Sequence, residues 1–375
     1  MKNEGGRRNQ PDSSFILHPS SFIPPSPRIL LVRLSAIGDV IHTMSVACAL
    51  RERFPRAYLA WVVENRASEL IEGHPAIDQR IVLPRGWLRS PAGVWRLRKQ
   101  LKGLAFDTAI DAQGLTKSAV VAWLSGAKRR LGMGGRWGRE ISRWLNNELV
   151  DTDGLHAIER GLKLLEPLGI RSPVVRFDVP AATADQDAAT ELIHRLGLDD
   201  GFVLVASGAG WPSKLWPVER YAAVAAYLGR RWGLPCLLIW GNDAERARAE
   251  QIVAGAEGHA LVCPKITLLQ LAAVARRARF ALGSDTGPLH LAAAAGAPCI
   301  GLYGPWPADK HGPYGLQHIN LQKMCMEGTT HQRRHAPSVY MEAIDVGLVC
   351  ETCDQMASRC HAPRGNARNG RSASP

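Results

Sequence analysis

Asp39, Lys214, Glu245, Asp285 and His290 all stand where strand-like runs give way to helix-like ones. Such turns are where α/β proteins place ligand-handling groups. The stretch SDTGPLHLAAAAGAP, residues 284–298, sets Asp285, Thr286, Gly287 and His290 ahead of an alanine-rich run. Thr286 to Leu289 make the first turn of a helix, whose free N–H groups and positive dipole end favour a phosphate. Gly287 permits close backbone approach, and Pro288 is tolerated where N–H groups have no helical partner. A carboxylate at Asp285 is repelled by phosphate but suits sugar hydroxyls. Asp285 or Thr286 also makes an ordinary helix cap.

Three further loops carry matching chemistry. ASGAGWPSKLWP (206–217) offers glycines, the hydroxyl of Ser213 and the ammonium of Lys214, which together suit a diphosphate. WGNDAERA (240–247) brings Asp243 and Glu245, acceptors for ribose hydroxyls or simply favourable first-turn acids. LSAIGDVIHT (34–43) puts Asp39 at a turn, where it can cap a helix or act as a general base. DAQGLTKSA (111–119) adds Gln113 and Lys117, able to hold an acceptor's hydroxyl or acidic groups. The P-loop spacing, the G-x-G-x-x-G fingerprint and H-E-x-x-H are missing from these loops, which argues against NAD, FAD and zincin chemistry.

The elements that must position these groups alternate in type. RILLVRL (28–34), AYLAWVV (57–63), RIVLP (80–84) and DTAIDA (107–112) predict strands, with helices at about 40–53, 66–72, 92–102, 115–126 and 155–169. Near residue 200 the pattern restarts. GFVLVAS, PCLLIWG, HALVC, RFALGS and PCIGLYG predict strands, with helices at 217–231, 243–255 and 267–278 and one opening near Thr286. Two β-α-β series imply an α/β protein of two doubly wound Rossmann-like domains facing across a cleft. The boundaries expected are an N-terminal domain at 28–175 and a C-terminal domain at 176–345, with IRSPVVRFDVPAATAD (170–185) as the connection. Residues 1–27, rich in proline and serine, are expected to be a disordered extension, and 346–375 a largely disordered, cysteine-containing tail.

The formal charge of +12 points to an anionic partner. Part of it is local, since residues 85–143 hold thirteen Lys/Arg against three Asp/Glu. The eleven tryptophans are scattered along the chain, and no nucleic-acid-binding motif accompanies the charge. Cys48, Cys236, Cys263 and Cys299 lie in apolar runs and read as buried thiols of a reducing compartment. Cys325, Cys350, Cys353 and Cys360 match no common zinc spacing. No apolar run approaches the ~20 residues of a membrane span.

Taken together, RILLVRLSAIGDVIHTMSVACALRERFP, DAQGLTKSA, GAGWPSKLWP and SDTGPLHLAAAAGAPCIGLYGP resemble glycosyltransferase family 9, the ADP-heptose:lipopolysaccharide heptosyltransferases. AWVVE and HAIERGLKLLEPLG in the first half are most similar to the heptosyltransferase I branch. The resemblance runs in consistent order over about 28–321. It implies a GT-B fold and inverting transfer of heptose from ADP-heptose, without a cofactor or a required metal. The implied acceptor is an anionic, Kdo-bearing lipopolysaccharide precursor, met by a cytoplasmic enzyme peripheral to the inner face of the inner membrane. By the same resemblance Asp39 is the base, and Lys214, Glu245, Asp285, Thr286, Gly287 and His290 bind the donor, joined by Ser213 on the chemistry of its loop. Gln113 and Lys117 face the acceptor. GAGWPSK departs from the Thr-rich version of that loop, and the region after 322 diverges. Two rival readings are another GT-B nucleotide-sugar enzyme, such as an epimerase, and a basic membrane- or nucleic-acid-binding protein without turnover.

Overall fold

The computed structural model describes residues 26–361. Two six-stranded parallel sheets organise it. The first contains β1 (Arg28–Val32), β2 (Tyr58–Glu64), β3 (Gln79–Leu83), β4 (Thr108–Asp111), β5 (Arg129–Met133) and β6 (Glu148–Val150), in the order β3-β2-β1-β4-β5-β6. The second contains β7 (Val203–Ala206), β8 (Cys236–Leu238), β9 (Ala260–Val262), β10 (Phe280–Ser284), β11 (Cys299–Tyr303) and β12 (Ile319–Gln322), in the order β12-β11-β10-β7-β8-β9. Short β-branched and leucine-rich runs form these strands because parallel strands are covered by helices on both faces.

Alternation along the strands separates two layers of core. Ile29, Leu31, Leu59, Trp61 and Val63 point toward the helix Ile37–Arg53, where Val40, Ile41 and Met44 meet them. Leu30, Val32, Ala60, Val62, Ile81 and Leu83 point the other way. They pack on Leu97 and Leu101 of the helix Pro91–Gly103 and on Val121 and Ala122 of the helix Thr116–Leu124. The first layer runs on without a break into the second sheet through Leu289 and Leu291 of the helix Gly287–Ala294. The two Rossmann-like units therefore share an apolar contact directly beneath the cleft.

Strand order reverses between β1 and β4 in one sheet and between β7 and β10 in the other. The loops carrying Asp39, Gln113, Lys214 and Asp285 all leave those four strands. A crevice opens where neighbouring strands send their connections to opposite faces, and here two such crevices face each other.

Several sequence expectations need correction. β5, β6 and β12 were not foreseen, because RRLGM, ELV and INLQ are short and polar for strands. Residues 183–185 do not belong to a linker: they start the helix Thr183–Arg195, which packs on the helix Leu268–Arg277. The tail expected to be disordered forms a sixteen-residue helix, Val346–His361. Val349, Cys350, Cys353, Met356 and Ala357 repeat at helical spacing and are buried in the core around the helix Val218–Trp232. Tyr227 and Trp232 of that helix both donate to Asp354 at 2.7 Å. Cysteines 350 and 353 are buried core thiols rather than part of a loose tail, and no group of potential metal ligands assembles among the described residues. The expectations for 1–25 and 362–375 lie outside the described residues.

Candidate active site

The helices Ile37–Arg53 and Gly287–Ala294 point their N-termini at one another across the cleft. Their approach depends on two glycines. A Cβ on Gly287 would sit 2.7 Å from Ile37 Cγ2, and one on Gly38 would sit 3.2 Å from the ring of His290. Gly287 thus admits the opposite domain as well as bordering the cavity.

The cavity between the helices is about 320 Å³. Asp39, His42, Gln113 and Arg160 line it from the first domain, and Lys214, Asp285, Thr286, Gly287 and His290 from the second. Its rim adds Arg139, Arg333 and Arg334. With Arg33, six guanidinium or ammonium groups face two carboxylates, a field that concentrates anions. A wider hollow of about 570 Å³ along Asp151, Lys163 and Glu166 lies open to solvent and has no comparable cationic lining.

On the first wall, Arg33 Nη2 lies 2.6 Å from Asp39 Oδ2. The same oxygen accepts from the N–H of Ala36 at 3.2 Å, so Asp39 also closes the first turn of its helix. Burial alone raises the Asp39 pKa; the Arg33 guanidinium, with the Ala36 N–H, overrides it and holds the carboxyl at about 2. Asp39 nonetheless remains reachable, with 43% of its side chain exposed. Arg160 lies over the Trp137 ring at 3.6 Å, a desolvated stacking that brings its pKa to about 10 and leaves it cationic at neutral pH.

On the second wall, Lys214 Nζ pairs with Asp285 Oδ2 at 2.5 Å and lies 4.6 Å from the Trp306 ring centroid. His290 Nε2 donates to Asp285 Oδ1 at 3.1 Å. Burial pushes the Asp285 carboxyl up, but Lys214 and His290 more than offset this and hold it far below the usual carboxylate range. Thr286 caps the helix Gly287–Ala294 through its backbone, and its Oγ1 has no hydrogen-bond partner among the described residues. The buried Ser213 Oγ is likewise unpartnered, but Ser213 is outside the cavity lining. The idle Thr286 hydroxyl beside a lysine and a helix N-terminus suits a phosphate oxygen.

The walls touch through a pair of imidazoles. His42 Nε2 and His290 Nδ1 are 3.3 Å apart, their rings edge to face. Burial, then repulsion from His290, drives the His42 pKa well below its ordinary value and keeps it neutral. His311 is pushed down to about 4, chiefly by burial.

The remaining expected residues are placed less centrally. Gln113 lines the cavity, but its Oε1 already accepts from the N–H of Leu34 at 2.9 Å. Lys117 is outside the lining, paired with Glu64 at 2.8 Å and near Ser35 Oγ at 3.2 Å. Glu245 is also outside it; its carboxylate accepts from the N–H of Gly241 and lies against Gly208 of the Lys214 loop. Sequence reasoning missed Arg33, His42, Arg160, Trp306, His311, Arg333 and Arg334. His42 alone had a local signal, three residues beyond Asp39 on the same helix face. Arg160, Trp306 and Arg333 are gathered from distant segments by the fold.

Comparison with known proteins agrees with this geometry. The family model described as glycosyltransferase family 9 (heptosyltransferase) matches residues 94–338. Lipopolysaccharide heptosyltransferase 1 of Pseudomonas aeruginosa is 33% identical over 303 residues, covering 78% of this chain and 83% of its own length. Among solved structures, Escherichia coli heptosyltransferase WaaC with ADP superposes with a TM-score of 0.69 at 26% identity, covering 88% of this chain and all of that one. A glycosyltransferase family 9 protein from Veillonella parvula gives 0.78 at 24% identity, covering 89% and 98%. Two facing Rossmann-like sheets, a cationic cleft at both switch points and a family match over residues 94–338 lead to one assignment: the chain belongs to glycosyltransferase family 9, the heptosyltransferases.

Proposed function

We propose that this enzyme transfers heptose from ADP-heptose, with inversion, to the Kdo-bearing inner core of a lipopolysaccharide precursor at the cytoplasmic face of the inner membrane. The observation that carries the reading is the division of labour across the cleft. A solvent-reachable carboxylate stands on one wall, and a lysine, a helix N-terminus and the idle hydroxyl of Thr286 stand on the other. The similarity to a heptosyltransferase solved with ADP supports the choice of nucleotide.

The donor diphosphate lies against Lys214, the N–H groups opening the helix at Gly287, and the hydroxyl of Thr286. Glu245, beside Gly208, stands on the route the ribose takes along the same loop. The acceptor hydroxyl attacks the anomeric carbon from the face opposite the diphosphate. As the new C–O bond forms, the bond to the diphosphate oxygen breaks and ADP leaves with the electron pair. Asp39 is ionised at neutral pH but weakly basic, because Arg33 stabilises its charge. It accepts the hydroxyl proton late, once C–O bonding has made that proton acidic. Lys214 and the preset dipoles meet the charge developing on ADP. Arg139, Arg160, Arg333 and Arg334 supply countercharge for an acidic acceptor.

Incubation with ADP-heptose and a heptose-free Kdo–lipid A, followed by mass spectrometry, tests the proposal. One added heptose per acceptor is expected, with none when UDP- or GDP-sugars replace the donor. Conversion of the donor to an isomer without acceptor points instead to an epimerase and overturns the reading.

A further inference from the structure

The fold gathers tryptophans that are far apart in the sequence. Trp95, Trp123 and Trp144 are 62%, 47% and 86% exposed. They belong to the helices Pro91–Gly103, Thr116–Leu124 and Ser142–Leu145. The middle helix packs against both of the others, on the face of the first sheet turned away from the helix Ile37–Arg53. Leu88 and Ile141 add exposed apolar surface at the two ends of this flank.

Cations are interleaved with these rings. Arg98 lies 5.6 Å from the Trp123 ring and Lys99 5.5 Å from the Trp95 ring. Arg96, Arg98, Lys99, Lys102 and Arg143 take part in no ion pair among the described residues. Of the three acids in residues 85–143, Asp111 is buried, Asp107 accepts from the N–H of Arg28, and Glu140 is held by Thr116. The flank therefore presents positive charge with almost no compensation.

We infer that this flank is a docking surface for an anionic lipid bilayer, with Trp95, Trp123 and Trp144 as interfacial anchors. Indole rings settle at the headgroup level because one edge is apolar and the N–H is not. Lysine and arginine beside them reach anionic headgroups while their stems cover apolar surface. Three exposed tryptophans on adjoining helices form a patch, unlike the singly exposed apolar residues common on soluble proteins. The flank also runs up to the cleft. Thr116, which opens the middle helix, bonds Glu140, and the adjoining Arg139 is on the cavity rim. Docking by this side brings the acceptor-facing wall to the membrane. This rests on the proposed lipid-borne acceptor and adds the surface that meets the lipid.

Vesicle co-sedimentation of the full chain tests the inference, using phosphatidylcholine with and without phosphatidylglycerol. The wild type is expected to bind the anionic vesicles and not the neutral ones. The triple variant Trp95→Ser, Trp123→Ser, Trp144→Ser is expected to lose at least about tenfold in partitioning, since each buried aromatic ring contributes a several-fold factor. Arg96→Glu with Lys99→Glu is expected to lose binding at low salt. Brominated lipid should quench wild-type tryptophan fluorescence and leave the triple variant largely unquenched. ADP affinity and melting temperature should match the wild type in every variant, because these side chains are exposed and outside the cleft. Vesicle binding that survives both substitutions, equal binding to neutral vesicles, or binding of duplex DNA in place of vesicles overturns the docking surface. Turnover on a soluble, deacylated acceptor is scored separately: its absence in the wild type counts against the proposed reaction and leaves the vesicle result standing.

Discussion

Replacing Asp39 by Asn separates two roles that the structure superimposes on one side chain. Asp39 closes the first turn of its helix through the Ala36 N–H, and it faces the cleft beside Arg33. Asn keeps the amide oxygen for the cap and is close to Asp in capping strength. What it loses is charge. The carboxyl's displacement from 3.8 to about 2 corresponds to roughly 2 kcal/mol of favourable interaction in the folded state. The side chain is 43% exposed, and solvent screening cuts that to about 1 kcal/mol. Because the folded-state pKa is depressed, this stabilisation is present above the unfolded pKa and vanishes as pH falls through about 2. At neutral pH the variant should therefore melt only a few degrees lower. Its kcat should fall by about 10²–10⁴, the usual contribution of a general base. Donor Kd should stay within a few-fold, since Lys214 and Thr286 are on the opposite wall. Calorimetry with ADP and single-turnover heptose transfer on the same preparation supply both numbers. A kcat within a few-fold of wild type refutes the base assignment and leaves Asp39 as a helix cap.

The Arg33 guanidinium is the main cause of the low Asp39 pKa, so Arg33→Gln should move the acid limb of the kcat/KM profile upward from about 2 toward the ordinary carboxylate range; an unmoved limb refutes the coupling. Lys214→Ala should weaken ADP binding by about ten- to a hundredfold, the worth of a charge-assisted hydrogen bond, read by calorimetry; unchanged affinity removes Lys214 from the diphosphate site. Truncation after Asp345 removes Val349, Cys353 and Met356 from the second core, each contributing about 1.5–3 kcal/mol. The truncated protein should be insoluble or melt far below the intact one, and a normal melting curve would show the helix Val346–His361 to be dispensable.

The parallel strands of both sheets were mostly legible because most are short, largely apolar runs bounded by turn residues. β12 and β6 were not, since edge strands carry polar residues on their open side, and INLQ and ELV look like loop. The helix Val346–His361 was hidden by its cysteines. Read as thiols of a loose tail, Cys350 and Cys353 masked a helical stripe in which they serve as small apolar residues. At the site, Asp39, Lys214 and Asp285 were visible because a charged residue at a strand-to-helix turn is conspicuous locally. Arg33 and Arg160 had no such mark. Their meaning comes from distance in space, with the cation beside Asp39 supplied from the end of β1 and the one over Trp137 from the helix Ala157–Lys163.

The Lys214–Asp285 pair bears on turnover. Lys214, proposed above to hold the diphosphate, is paired with a carboxylate at 2.5 Å, and that carboxylate is steadied by His290. Arrival of the donor is then an exchange of one anion for another. Some of the attraction between Lys214 and phosphate is spent in loosening Asp285, which limits how tightly any adenine nucleotide can stick. The exchange also runs in reverse. Once heptose has moved, ADP departs from a lysine that has a resident counter-ion waiting 2.5 Å away. If Lys214 holds the diphosphate as proposed, Asp285 competes with the product for the same ammonium and favours release of spent nucleotide.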